Sequence, residues 1–176
     1  MKRVSVLILG IVLFAASCGS SSSTSPTGTP TKPTFTAALL PSNETSTIVG
    51  GENTGTGTAT VTFDLTTDAS GTIKSGTATF VVNLSGFPAN TPINIAHIHQ
   101  APAGASGGVV FSTTLTAGEV NLANGSGSFV KAGIAPSPAD ASIFQAIINN
   151  PGAFYFNVHS TLNPGGVARG QLSRVQ

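Results

Sequence analysis

The sequence predicts an all-β domain: a sandwich or Greek-key barrel of eight short strands, with one short helix near its C-terminal third. Three observations predict it. Only 7% of residues are charged, so the chain lacks the Glu, Lys and Arg with which helices cover their solvent faces. Thr and Val are common, and both suit pleated, half-buried surfaces. From Phe35 onward, apolar and polar side chains alternate in short runs separated by Gly-, Asn- and Pro-rich turn signals.

Two runs carry the alternation most clearly. In residues 57–65, Ala59, Val61, Phe63 and Leu65 fall on one face, with Thr58, Thr60, Thr62 and Asp64 opposite. In residues 75–87, Ala78, Phe80, Val82 and Leu84 share a face, with Thr77, Thr79 and Asn83 behind them. This is the pattern of antiparallel strands with one wet face, and Asp68-Ala-Ser-Gly71 between them is a turn signal. Residues 34–40, 92–99, 109–115, 125–131, 153–160 and 167–174 complete the eight strands. One segment departs from period two. Ile143, Phe144, Ile147 and Ile148 recur at helical spacing, Ser137 is placed to cap, Pro138 to open the first turn, and Asn149 to Gly152 to stop it. The expectation is a helix over 138–149 whose apolar stripe caps one end of the sandwich.

The first 33 residues belong to a different regime. Lys2 and Arg3 precede an apolar run, Val4 to Ala16, of about thirteen residues; a membrane span needs about 20, whereas a signal-peptide core needs no more than this. It ends in Ala15-Ala16-Ser17-Cys18. Small residues before a cysteine resemble the bacterial lipobox, although Ala15 stands where that motif usually has Leu. The resemblance implies cleavage after residue 17 and lipidation of Cys18, the only cysteine of the chain; the alternative is an ordinary secretory peptide. Acyl chains contribute about 0.8 kcal/mol per buried CH₂, so two or three anchor stably. Gly19 follows the cysteine, which points to the outer membrane if the organism is Gram-negative. Residues 18–33 then read as a flexible Ser/Thr/Pro tether with nothing apolar to bury; a glycosylated stalk is the other reading. The compact domain is 34–176.

Charge narrows the partners. The chain has seven basic and six acidic side chains; without Lys2 and Arg3 five basic remain, a net charge of −1. No basic stripe exists to displace counterions from DNA or RNA, so nucleic acid is excluded as a partner. A single cysteine cannot close an intrachain disulfide, so packing alone must hold the domain.

Two segments carry a family resemblance. The first runs from Ala96-His-Ile-His-Gln to Phe111; the second from Phe154-Tyr-Phe-Asn-Val-His through Asn163-Pro-Gly-Gly-Val-Ala-Arg-Gly-Gln-Leu172. Together with the opening Phe35-Thr-Ala-Ala-Leu-Leu-Pro-Ser-Asn-Glu44, they resemble the chordin-type (CHRD) domain. That resemblance implies an immunoglobulin-like β-sandwich, no settled catalytic activity, and an association with protein binding.

All three histidines lie in those two segments. His97 and His99 are two apart on a strand and share a face, separated by about 6.5–7 Å of rise. On the 153–160 strand, Phe154, Phe156 and Val158 are expected inward, and Tyr155, Asn157 and His159 outward. If the two strands are neighbours, three imidazoles converge, and imidazole suits copper and zinc. The arrangement is similar to the copper site of Cu,Zn superoxide dismutase, where a His-x-His pair and a later Val-His bind copper and an Arg steers the anionic substrate. By position His97, His99, His159 and Arg169 match those parts. The dismutase's bridging histidine, zinc loop and disulfide have no counterpart, which argues against dismutase activity. The competing reading is that the histidines hydrogen-bond loop backbone and pin Asn163-Pro-Gly-Gly166, and that Arg169 pairs with Glu44. Ring nitrogens about 3–4 Å apart would favour metal; histidines buried against backbone carbonyls, or splayed far apart, would favour the structural role.

No nucleophile elbow is present. Gly50, Gly51, Gly55 and Gly57 lack the helix a phosphate loop needs and read as turn residues. The expected function is a non-enzymatic binding or structural module on the cell envelope, tied to the membrane by lipid and meeting a protein partner there or outside the cell. The alternative is a three-histidine copper or zinc protein.

Overall fold

The computed structural model describes Met1 and residues 32–176. Residues 2–31, on which the expected signal peptide, Cys18 and most of the expected tether fall, lie outside the described residues. Among the described residues no helix is long and apolar enough to cross a membrane.

The domain is two antiparallel sheets. The first contains β1 (Thr34–Leu39), β2 (Thr56–Thr67), β3 (Ile73–Ser85), β7 (Gly127–Ile134) and β10 (Ser173–Arg174), in the order β10-β1-β2-β3-β7. The second runs β5-β4-β8-β9, with β6 also paired to β4; here β4 is Thr91–Gln100, β5 Val109–Ser112, β6 Val120–Leu122, β8 Phe154–Ser160 and β9 Ala168–Gln171. Ten strands stand where eight were expected. β6 is three residues long, too short for its alternation to register in the sequence. The predicted 167–174 strand is cut in two because the chain changes sheets: β9 pairs with β8, and β10 pairs with β1. Leu172 is buried at the crossing and its N–H donates to the Phe154 carbonyl.

The alternation read in β2 and β3 is the packing of the first sheet. Ala59, Val61 and Phe63 pair across with Val82, Phe80 and Ala78, and all six are buried. The turn between the strands is held by Asp68, whose carboxylate accepts the N–H groups of Ser70 and Thr72. Facing them from the second sheet are Phe111 and Phe156, with ring centroids 5.4 and 6.0 Å from Phe80. Burying each such ring contributes about 1.5–3 kcal/mol.

The helix is shorter than expected. α1 spans Ser142–Asn149, not 138–149, and Ser137 makes no cap. The Asp140 carboxylate instead accepts the Ser142 N–H, so the helix opens four residues later. Its apolar stripe does close the sandwich: Phe144 is buried with its ring 4.9 Å from Phe63 and 5.7 Å from Phe111. Gly57, read as a turn glycine, lies inside β2, where an added Cβ would sit 2.5 Å from the Asn83 carbonyl oxygen.

Candidate metal centre

The second sheet carries the site. Its outer face is polar, as alternation requires, but it is not wet. All seven residues of β8 are buried, including Tyr155, Asn157 and His159. Three loops roof this face: residues 41–55, 101–108 and 161–167. Each is held by a side chain rising from the sheet, because backbone groups placed over a strand face have no ladder to join and need other partners.

The register lays the polar residues out in rows. His97 is opposite Asn157, which is opposite Arg169; His99 is opposite Tyr155, which is opposite Gln171. His159 lies one step along β8, opposite Ile95. The three imidazoles that the sequence placed on one face are therefore neighbours. Ring centroids of His97 lie 4.4 Å from His99 and 4.6 Å from His159. One nitrogen from each ring can be chosen so that all three lie within 4.8 Å of one another. A metal with bonds near 2.0–2.1 Å needs its nitrogens about 3.4 Å apart, so nitrogens up to 4.8 Å apart must close by as much as about 1.4 Å.

Hydrogen bonding decides which nitrogens are free. His99 Nδ1 lies 2.8 Å from the Gly107 carbonyl, and His159 Nδ1 lies 2.9 Å from the Pro164 carbonyl. A carbonyl only accepts, so Nδ1 carries the proton in both rings and Nε2 holds a lone pair. Nε2 of His97, His99 and His159 is buried without a partner in every case. Two buried acceptors and a third buried ring nitrogen left unpaired in a well-packed face cost free energy, and a metal ion is a group that would satisfy all three. Carbonyl-anchored Nδ1–H groups are the arrangement that orients metal-binding imidazoles.

Electrostatics act in the same direction. Burial, with repulsion from His159 and His99, pushes the His97 pKa down to about 3. Burial also lowers His99 and His159, against the raising effect of their bonds to Gly107 and Pro164. All three rings are neutral at pH 7, as ligands must be.

The pinning role of these histidines is present alongside the free nitrogens. His159 holds the 163–166 turn through Pro164, and His99 holds the 101–108 loop through Gly107. The sequence did not reveal a second support beneath this turn. Buried Glu52 accepts from Ser160 Oγ and from Asn163 Nδ2 at 2.6 Å, while Asn163 also bonds both backbone groups of Val49. The glycines flanking Glu52 marked a loop but not its contact with β8.

Arg169 is brought to Glu44, with Nε 3.8 Å from Oε2 and both side chains almost fully buried. It does not reach outward as a steering residue would. Its Nε donates to the Asn43 carbonyl, Nη1 donates to the Ala105 carbonyl, and the guanidinium lies 4.6 Å from the centre of the Tyr155 ring. Burial raises the Glu44 pKa to about 7, against the lowering effect of Arg169. Gly166 makes room for this carboxylate: a Cβ there would lie 2.8 Å from both Glu44 oxygens.

A family model described as the CHRD domain matches residues 35–172. No curated protein and no solved structure matches the chain.

Proposed function

Since the chain belongs to the CHRD family, we propose that it is an envelope-anchored, non-catalytic binding module, and that what its domain binds is a single copper or zinc ion held by His97, His99 and His159. Cys18 carries the lipid, and residues 18–33 set the domain away from the membrane. The observation behind the metal reading is the set of three buried Nε2 atoms without partners, two of them on rings whose Nδ1 protons are already committed to loop carbonyls. A purely structural role for the histidines accounts for the Nδ1 bonds but leaves all three Nε2 atoms unexplained.

Calorimetric titration of the protein with Cu(II) and Zn(II), on wild type and His99→Ala, tests this. The expected result is one ion per chain with a micromolar or tighter constant for at least one metal, and at least 100-fold weaker binding to the variant. If neither metal reaches micromolar affinity, and Cu(I) offered anaerobically does not either, the reading is wrong.

A further inference from the structure

Three imidazoles accept more than one ion, and the surroundings of the rings bear on its identity and charge. The first consideration is access. Nε2 of each histidine is buried deeply enough that water does not reach it. An ion about 2 Å from three nitrogens and carrying a bound water would place that water about 3 Å from each nitrogen. That is contact distance, and the protein surface excludes it. The site offers three nitrogens and, among the described residues, no fourth histidine, cysteine or carboxylate beside them; with every Nε2 out of reach of water, nothing supplies the fourth position that zinc keeps in its three-ligand sites.

The second consideration is charge. The three ligands are neutral imidazoles, and no carboxylate or thiolate joins them among the described residues. A divalent ion would keep its full double charge in a buried site. A buried cation stands on the far side of Tyr155 from His99. Arg169 lies over the Tyr155 ring, which stacks on His99 at 4.7 Å with the planes 5° apart. Its counter-ion Glu44 is 3.8 Å away and, with its pKa near 7, is only partly ionised at neutral pH. Each added unit of positive charge is opposed by this neighbour, and more strongly in a desolvated site than in water.

Resting on the three-histidine reading, we infer that the site is built for Cu(I), a monovalent d¹⁰ ion at home with three neutral nitrogen ligands and no bound water. Zn(II) and Cu(II) each ask for a fourth ligand and bring a second charge.

Anaerobic competition against the Cu(I) chelator bicinchoninate tests this. The full-length protein would carry Cys18→Ser so that no thiol competes, with Zn(II) and Cu(II) titrations run in parallel. One Cu(I) per chain is expected, bound at least 100-fold more tightly than Zn(II), with a copper-edge absorption spectrum that fits three nitrogens and no oxygen. His97→Ala, checked for retained β structure by circular dichroism, is expected to lose at least 100-fold in Cu(I) affinity. Equal or tighter binding of Zn(II) or Cu(II) overturns the Cu(I) assignment and leaves the three-histidine site standing. Binding of none of the three ions overturns both.

Discussion

His99 and His159 each commit Nδ1 to a loop carbonyl and leave Nε2 buried without a partner. His97 shares the free Nε2, and its pKa of about 3 is the lowest on this face. A pH dependence of stability follows. Above pH 6.5, the ordinary histidine value, folded and unfolded chains both hold neutral imidazoles. Below it the unfolded chain takes up protons that folded His97 refuses until about pH 3, so stability falls on acidification. Glu44 works the other way. Its pKa of about 7 in the fold, against an ordinary 4.5, adds stability at low pH that is lost as pH rises toward 7. Over this range Glu44 opposes His97, and the lowered pKa values of His99 and His159 add to the side of His97, so the metal-free protein should melt at lower temperature at pH 5 than at pH 7. His97→Gln should shrink that difference; thermal melts of both proteins across this range check it, and an unchanged difference would show that His97 is not the group responsible. The sequence made the shared face of these rings legible, because His-x-His and the parity of His159 with Tyr155 need only period two. It could not show the Gly107 and Pro164 carbonyls, which come from loops with no periodicity to read.

At the scale of elements, alternation identified the inner faces of β2, β3 and β8 correctly, since a two-residue period sorts side chains between faces whatever covers them. It said nothing about the cover. Tyr155, Asn157 and His159 are expected outward from the core, and on that face all three are buried beneath loops. The helix shows the complementary limit. Its stripe of Phe144 and Ile147 was visible, but its start depended on which side chain captured an amide, and Asp140 did so in place of Ser137. Phe144 belongs to the ring cluster with Phe63 and Phe111 at one end of the core. Phe144→Ala should therefore destabilise the domain by about 3–5 kcal/mol. Chemical denaturation measures this, and a loss below 1 kcal/mol would mean that α1 packs only loosely against the sandwich.

Across the whole molecule, one sheet face supplies the core and the opposite face of β4, β8 and β9 supplies the site. The loops at 41–55, 101–108 and 161–167 close over it through bonds to Arg169, His99, His159 and Asn163. The domain holds itself together by packing and by this roof of side chain-to-backbone bonds, with no intrachain disulfide to assist, since the chain has a single cysteine. The central claim is that three neutral imidazoles present Nε2 lone pairs to a common ion. Nitrogen-15 NMR of the histidine rings tests it most directly. Before metal is added, His99 and His159 should carry their protons on Nδ1, and stoichiometric metal should shift the Nε2 resonances of all three rings together. A proton found on Nε2 of either ring, or a metal response confined to one histidine, would contradict the account.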